Sequence, residues 1–471
     1  FSNKRTDSYG GSFENRLRLP LEVMEAVRAQ VGEDFAVGIR VSADEFVAGG
    51  LEPAETSAQV DYLLDRQRID YISVSQSNYV SIDTMIPDMS YPRAPFAHYA
   101  KEIRQVARGV PVFAVARLVT PEQCEELLET QVADAVCLVR PLIADPELPN
   151  KSRDGRRQDV RECISCNVGC RGGPHRGSPI ACLVNPVVGY EAQWGIGKVQ
   201  PAATSRRVLV VGGGPGGLKA AETAAIRGHD VTLVEGAETL GGQVLVAAAA
   251  MPYRDEFANS VRFLERQLDQ LGVSVILGQR ADTEFIDGHS PEAIVVATGS
   301  RPGRPDIPGA EEATVYTPHD VVAGQLGKAG RVIVIDSGEA DWKCLTTAER
   351  LGEDGNNVTI ITPVPIGAEM DTFSKPPMLR RLRAAGVDWI EYHGATAIEP
   401  GRVQIREGFT GDLQWLNADA VVAAWYGEAE DSLLAELRNR PGLDVRGVGD
   451  CIAPRRAIDA IWDGFRVGMD L

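Results

Sequence analysis

"RRVLVVGGGPGGLKAAETAAIRGHDVTLVE", residues 206–235, carries a strand, a glycine turn, a helix and a second strand in one uninterrupted run. Val208–Val211 read as a buried strand, and Gly212, Gly214 and Gly217 follow with G-x-G-x-x-G spacing. The glycines permit a tight turn and let backbone approach a pyrophosphate, whose charge the helix N-terminus stabilises. Glu235, at the end of the second strand, is placed to accept hydrogen bonds from ribose hydroxyls. The glycine pattern alone is weak evidence. With strand, helix and acidic residue all in place it predicts an α/β region binding a dinucleotide or an ADP moiety. Downstream, "LGGQ" (240–243), "VVATGSRP" (295–302) and "GVGD" (447–450) continue the pattern. Gln243, Gly449 and Asp450 are expected to face the nucleotide, Asp450 at its diphosphate end or ribityl chain. The "ATG" taken by itself is also compatible with an ordinary strand-to-turn.

A weak copy of the same plan starts at Arg331, "RVIVIDSGEADWKCLTTAERLGEDGNNVTIIT". Its outer glycine positions hold Asp336 and Asp341. Carboxylates there obstruct backbone approach and repel a pyrophosphate, so this second site reads as degenerate.

Working towards the N-terminus, residues 1–152 alternate apolar strands with amphipathic helices. "FAVGIRVS" (35–42), "YISVSQS" (71–77), "VPVFAVAR" (110–117) and "ADAVCLVR" (133–140) are the strands, and a helix starting near Arg18 precedes the first. Four β/α units imply a parallel sheet and correspond to half of an eight-stranded barrel. The opening "FSNKRTDSYGGSFENR" is a specialised polar loop with no strand before it. It suggests an N-terminally incomplete chain, with a disordered leader as the alternative. Arg40, Arg117 and Arg140 read as strand-end residues on the face where such barrels bind ligands, and the last two strand ends are the usual phosphate site. Singly, each arginine is more often a surface salt bridge, but three at equivalent strand ends point to a phosphate-bearing ligand. Asp83 and Asp88, in the loop after "YISVSQS", could reach a substrate amine, although solvated loop carboxylates are the ordinary reading.

"CISCNVGC" (163–170) places three of the eight cysteines in eight positions, and Cys182 follows. Cys163, Cys166, Cys170 and Cys182 give C-x2-C-x3-C-x11-C, which suits the corners of a [4Fe–4S] cubane. Zinc, which favours two separated knuckles, and free thiols are the alternatives. Cys124, Cys137, Cys344 and Cys451 lie in helix or strand patterns or near the tail and read as packing residues.

Composition bounds the rest. A chain of 471 residues with 44% apolar and 24% charged residues is that of a multidomain globular protein. A net charge of −18 argues against nucleic acid and anionic membranes as partners. No apolar run approaches the ~20 residues of a membrane helix. Scattered cysteines and the lack of a signal peptide make a cytoplasmic setting the expectation.

Taken in order, "NKRTDSYGGSFENR", "VGIRVS", "ARLVTPEQCEELL", "LVRPLIADPELPNK", "CISCNVGC", "CLVNP", "VVGGGPGGLKAA" and "GDCIAPR" span the chain from Asn3 almost to its end. Together they resemble the iron–sulfur flavoenzymes related to trimethylamine dehydrogenase and 2,4-dienoyl-CoA reductase, which have an old-yellow-enzyme-type barrel. The resemblance implies an α/β protein with FMN in the barrel, a [4Fe–4S] cluster on the four cysteines, and FAD or ADP on the C-terminal domains. It places Arg40 near the flavin ring, and Arg117 and Arg140 with the backbone of Ala116 and Val139 around the FMN phosphate. The family commonly has Gly-Arg where this chain has Ala116-Arg117, which weakens that part of the match. The resemblance also places the catalytic acid or base, with a tyrosine-containing segment, upstream of Phe1. The expected layout is the C-terminal half of a TIM barrel over 1–152 and a cluster segment and linker over 153–205. A FAD/ADP domain follows in two parts, 206–325 and 426–471, around a degenerate NAD-like domain, 326–425. Two directions of electron flow fit: oxidation of a small N-methylated amine with electrons passing to an electron-transfer flavoprotein, or NAD(P)H-dependent reduction of an activated alkene. The degenerate second site favours the first. A non-catalytic electron-transfer module is the further alternative, and a homo-oligomer is the expected assembly.

Overall fold

The computed structural model describes residues 1–250, 254–311 and 315–471, which divide into two compact units, Phe1–Arg157 and Gln158–Leu471. In the first unit the strands Gly38–Ser42, Tyr71–Ser75, Val112–Ala114 and Ala135–Val136 form one parallel sheet in sequence order. Helices Pro53–Leu64, Ala97–Val106 and Pro121–Glu129 link them. Parallel strands must be joined by crossovers, and sequential order with a helix in each crossover is the barrel pattern. Val60, Ile72, Ile103 and Val112 fill the interface between sheet and helices.

The first helix begins at Phe13, earlier than its apolar periodicity suggests, and runs through Pro20 to Val31. Ser12 caps it by accepting the Asn15 N–H. That cap fixes the first turn, so the single hydrogen bond that Pro20 removes does not break the helix.

The second unit holds two parallel sheets. The first has the order Asp444–Gly447, Ala293–Val296, Arg207–Val211, Asp230–Val234, Ser274–Ile276. The second has the order Val315–Tyr316, Ala420–Ala424, Arg331–Asp336, Asn357–Ile361, Asp388–Ile390. The chain therefore returns to the first sheet through Asp444–Gly447 after completing the second. A three-stranded antiparallel sheet of His393–Glu399, Arg402–Glu407 and Leu413–Asn417 lies within that excursion. The central strands of both parallel sheets are continuous runs of Val, Ile and Leu, buried on both faces as an α/β sheet requires. Among the described residues no helix is long and apolar enough to cross a membrane.

Candidate functional site

The glycine turn connects the strand Arg207–Val211 to the helix Pro215–Ile226, with Gly214 at the N-cap. Its outer and middle glycines serve different needs. A Cβ on Gly217 would collide with the Gly212 carbonyl oxygen, so this position holds helix and strand together. A Cβ on Gly214 would meet no protein atom within 4 Å. Gly214 faces open space at a helix N-terminus, where a diphosphate fits. Glu235 accepts the Gly213 N–H at 2.6 Å and the Ala237 N–H at 2.7 Å. Its carboxylate braces the turn, and each oxygen retains a lone pair for a ribose hydroxyl. Gln243 Nε2 donates to Ser300 Oγ at 2.8 Å, and that hydroxyl donates to Asp450 Oδ2 at 2.9 Å. Three motifs far apart in sequence are thus tied into one polar string. Ser300 lies inside "VVATGSRP", but its role as the link depends on tertiary pairing.

The copy at Asp336 is built differently. Asp336 accepts the Gly338 N–H at 2.8 Å, the Ala340 N–H at 3.0 Å and the Thr362 hydroxyl at 3.0 Å. The Cys344 thiol also bonds to it. Asp341 caps the helix Trp342–Glu353 by accepting the Lys343 N–H, and burial pushes its pKa up to about 6. Both carboxylates therefore fold back onto their own loop instead of projecting at a ligand as the sequence suggested. They deny a diphosphate its amide donors rather than merely repelling it. Gly338 corresponds to Gly214, but a Cβ there would lie 3.5 Å from Pro363 Cγ and 3.6 Å from the Tyr426 hydroxyl. Lys343, the nearby cation, is engaged by the Trp425 carbonyl at 2.8 Å and by Glu339 at 3.3 Å.

Cys163, Cys170 and Cys182 lie near enough to Cys166, and Cys163 and Cys170 near enough to Cys182, for charge to act between them. Burial first, then the neighbouring cysteines, raise the Cys166 thiol pKa well above its usual range and push Cys182 up to about 12. Such a set needs a positive centre before it can hold four thiolates. Backbone N–H groups already point at the sulfurs: Ser165 at Cys163 (3.4 Å), Val168 at Cys166, and Val184 and Asn185 at Cys182. Ser165 and Asn167 adopt left-handed backbone, with φ of 52° and 57°, to aim these groups. Gly169 contributes a close approach: its missing side chain admits the Ala181 carbonyl, beside Cys182. The Ser165 hydroxyl is fully buried without a hydrogen-bond partner, an orphan donor that an inorganic sulfide would satisfy. Among the described residues no group of His, Cys, Asp and Glu is placed to hold a metal ion. That bears on a single-ion site, where the ligands converge on one centre. A cubane spreads its thiolates over four irons. The donor set and the amide pattern fit a [4Fe–4S] cluster.

In the first unit Arg40 lies mid-strand rather than at a strand end and donates to Ser73 Oγ and Ser75 Oγ. Arg117 lies beyond its strand and is 4% exposed, its Nε donating to the Asp88 carbonyl at 2.7 Å. It is therefore a buried residue rather than a surface one. Val139 and Arg140 open a short helix, Arg140–Ala144, beyond the last strand. A short helix start in this place is a usual part of a barrel phosphate cup. The solvated-loop reading of Asp83 and Asp88 does not hold, because they are 6% and 0% exposed. Asp83 accepts the Tyr91 hydroxyl at 2.6 Å, and Asp88 accepts the Ser90 N–H at 2.9 Å. Ala116 has φ of 84°, which accounts for the glycine common at this position in the family. Ala116→Gly is expected to relieve about 1 kcal/mol of left-handed strain, net of the added chain entropy. Thermal unfolding and hydrogen exchange over residues 112–119 check this, and weaker protection in the variant would contradict it.

Comparison with known proteins agrees with this geometry. Residues 1–159 match the NADH:flavin oxidoreductase / NADH oxidase family, and residues 206–448 match pyridine nucleotide-disulphide oxidoreductases. The chain is 36% identical to an NADH oxidase from Thermoanaerobacter brockii, over all of this chain and 72% of that protein. It is 32% identical to an N,N-dimethylglycine/sarcosine dehydrogenase from Chromohalobacter salexigens, over 99% of this chain and 73% of that protein. Among solved structures, histamine dehydrogenase from Rhizobium sp. 4-9 superposes with a TM-score of 0.91 at 30% identity, covering 99% of this chain and 70% of that one. A 2-naphthoyl-CoA reductase superposes equally well, with a TM-score of 0.91 at 30% identity, covering 100% and 70%. The chain belongs to the NADH:flavin oxidoreductase / NADH oxidase family, in the group of flavoproteins related to trimethylamine dehydrogenase and 2,4-dienoyl-CoA reductase.

Proposed function

We propose that this flavin-dependent oxidoreductase oxidises a small N-methylated amine and delivers the electrons to a protein acceptor such as an electron-transfer flavoprotein. Bound FMN supplies two-electron oxidation, and a [4Fe–4S] cluster on Cys163, Cys166, Cys170 and Cys182 supplies one-electron transfer. The chain's own residues then have definite tasks. Ala116, Arg117, Val139 and Arg140 would hold the FMN phosphate, and Arg40 would lie on the ring side. Gly214, in the turn that Gly212 and Gly217 keep tight, and Glu235 would hold the adenosine diphosphate part of FAD or ADP, with Gln243, Gly449 and Asp450 beside it. Asp83 and Asp88, both buried in the barrel unit, are the carboxylates we assign to a cationic substrate.

The observation that carries the direction of electron flow is the contrast between the two glycine loops. Gly214 faces open space, whereas Gly338 faces Pro363 and Tyr426 and the amides beside it are bonded to Asp336. A second nucleotide, the nicotinamide donor of a reductase, has no prepared diphosphate site there. Relatives named dimethylamine dehydrogenase and N-methylproline demethylase support the amine reading. The likeness to an NADH oxidase favours the alternative, a nicotinamide-dependent reductase of activated alkenes. Anaerobic mixing of the flavin-loaded protein separates the two. Bleaching of the flavin by dimethylamine or sarcosine, with none by micromolar NADH or NADPH, is the expected result. Fast bleaching by either coenzyme would overturn the amine reading.

A further inference from the structure

We propose that Arg161 is the positioning residue for the fourth ligand, fixing Cys182 against the loop that carries the other three cysteines. It thereby decides whether the centre keeps four irons or three. This rests on reading the cysteines as a [4Fe–4S] site. Eleven residues separate Cys170 from Cys182, and Pro174–Ile180 in that connection are exposed. The connection alone therefore does not hold the Cys182 arm. One tie exists before the cysteine, where the Ala181 N–H donates to the Gly169 carbonyl at 3.4 Å.

The tie after it comes from Arg161. Its Nη1 donates to the Val184 carbonyl at 3.3 Å and to Asn185 Oδ1 at 3.2 Å. Val184 and Asn185 are the residues whose own N–H groups bond to the Cys182 sulfur. Arg161 thus grips the dipeptide that orients the fourth ligand, while standing two residues before Cys163 in the chain. The guanidinium is itself held from behind, 5.3 Å from the centre of the Phe263 ring. Its neighbours anchor to the same helix, Arg254–Gln270. Glu162 accepts from Asn259 at 2.7 Å, and Asp159 accepts from Arg266 at 2.9 Å and from Gln270 at 2.8 Å. A rigid helix therefore sets Arg161, and Arg161 sets the arm. Lysine keeps a charged donor for the same two acceptors but on a shorter reach and without the planar guanidinium over Phe263, and methionine could keep the packing on Phe263 but supply neither donation.

The test uses the whole chain purified anaerobically as wild type, Arg161→Met, Arg161→Lys and Asn185→Ala. Iron and acid-labile sulfide are counted, and EPR spectra are recorded after brief ferricyanide treatment. The wild type is expected to keep about four irons per chain and remain nearly EPR-silent. In Arg161→Met the loosened arm releases one ferrous ion, and one electron passes to ferricyanide. About three irons stay on Cys163, Cys166 and Cys170. The signal of an oxidised [3Fe–4S] cluster then becomes the major species, and Arg161→Lys recovers part of the four-iron form. Asn185→Ala cuts the same link from the other side and decides the matter if Arg161→Met does not fold. A four-iron cluster as resistant to ferricyanide as the wild type, in whichever of the two variants folds, overturns the assignment of Arg161. A wild type without iron overturns the cluster reading itself, and this inference with it.

Discussion

Cys166→Ser is expected to take the protein from about four irons per chain to nearly none, while Cys124→Ser leaves the iron content unchanged. Cys166 is the cysteine whose environment is most specialised. Burial and the charges of Cys163, Cys170 and Cys182 all act on it, and the Val168 N–H bonds to its sulfur. A serine there offers a hard, poorly ionised oxygen in place of a large soft sulfur and would leave one corner of a cubane without a ligand. Cys124 has a different setting. It lies on the helix Pro121–Glu129, packs against the barrel core, and has Glu122 and Glu125 as its charged neighbours. Cys451 is likewise occupied, its thiol donating to the Val296 and Val448 carbonyls. Iron and acid-labile sulfide counts on anaerobically purified variants measure the difference. Full iron in Cys166→Ser, or stoichiometric zinc without iron in the wild type, would remove the cluster from the account.

What could be read from the sequence was the chemistry held in contiguous stretches. The turn Gly212–Gly217 with Glu235 is legible because strand, turn, helix and carboxylate follow one another along the chain. The cysteine spacing is legible for the same reason, and the β/α alternation of residues 1–152 follows from apolar periodicity. What stayed hidden depends on residues remote in sequence. The inward fold of Asp336 requires Thr362 and Cys344, and the cover over Gly338 comes from Tyr426. Asp83 and Asp88 sit in a stretch whose polarity suggests solvent, yet Tyr91, Ser90 and Arg117 enclose them with hydrogen bonds. Arg161 looks like an unremarkable surface cation until Val184 and Asn185 fold onto it. The first helix is legible from Arg18 onward, but its start at Phe13 is not, because the Ser12 cap lies upstream of the apolar pattern.

Gly214→Val is expected to weaken binding of ADP or FAD by ~100-fold, roughly 3 kcal/mol, while changing the stability of the nucleotide-free protein by no more than about 1 kcal/mol. The position allows this separation because its backbone is extended, with φ of −74° and ψ of 179°, so any side chain is tolerated. The space in front of it is also empty of protein atoms. The added methyl groups would therefore stand where a diphosphate must approach the helix N-terminus, at a small capping cost. Gly217→Ala should behave in the opposite way. Its Cβ meets the Gly212 carbonyl oxygen and lies 3.1 Å from Ala297 Cβ, so the clash is inside the protein. That variant should lose roughly 1–3 kcal/mol of stability, and its nucleotide affinity should fall only as a consequence. Calorimetric titration of nucleotide-stripped protein with ADP and with FAD, beside thermal unfolding without nucleotide, separates the two effects. A Gly214→Val variant that binds both nucleotides as well as the wild type would mean that the open space before Gly214 is not the diphosphate site. A Gly217→Ala variant with unchanged stability would mean that the strand–helix contact tolerates a side chain. Either result would break the link drawn between the glycine spacing and the nucleotide, because that link assigns one glycine to the ligand and the other to the fold.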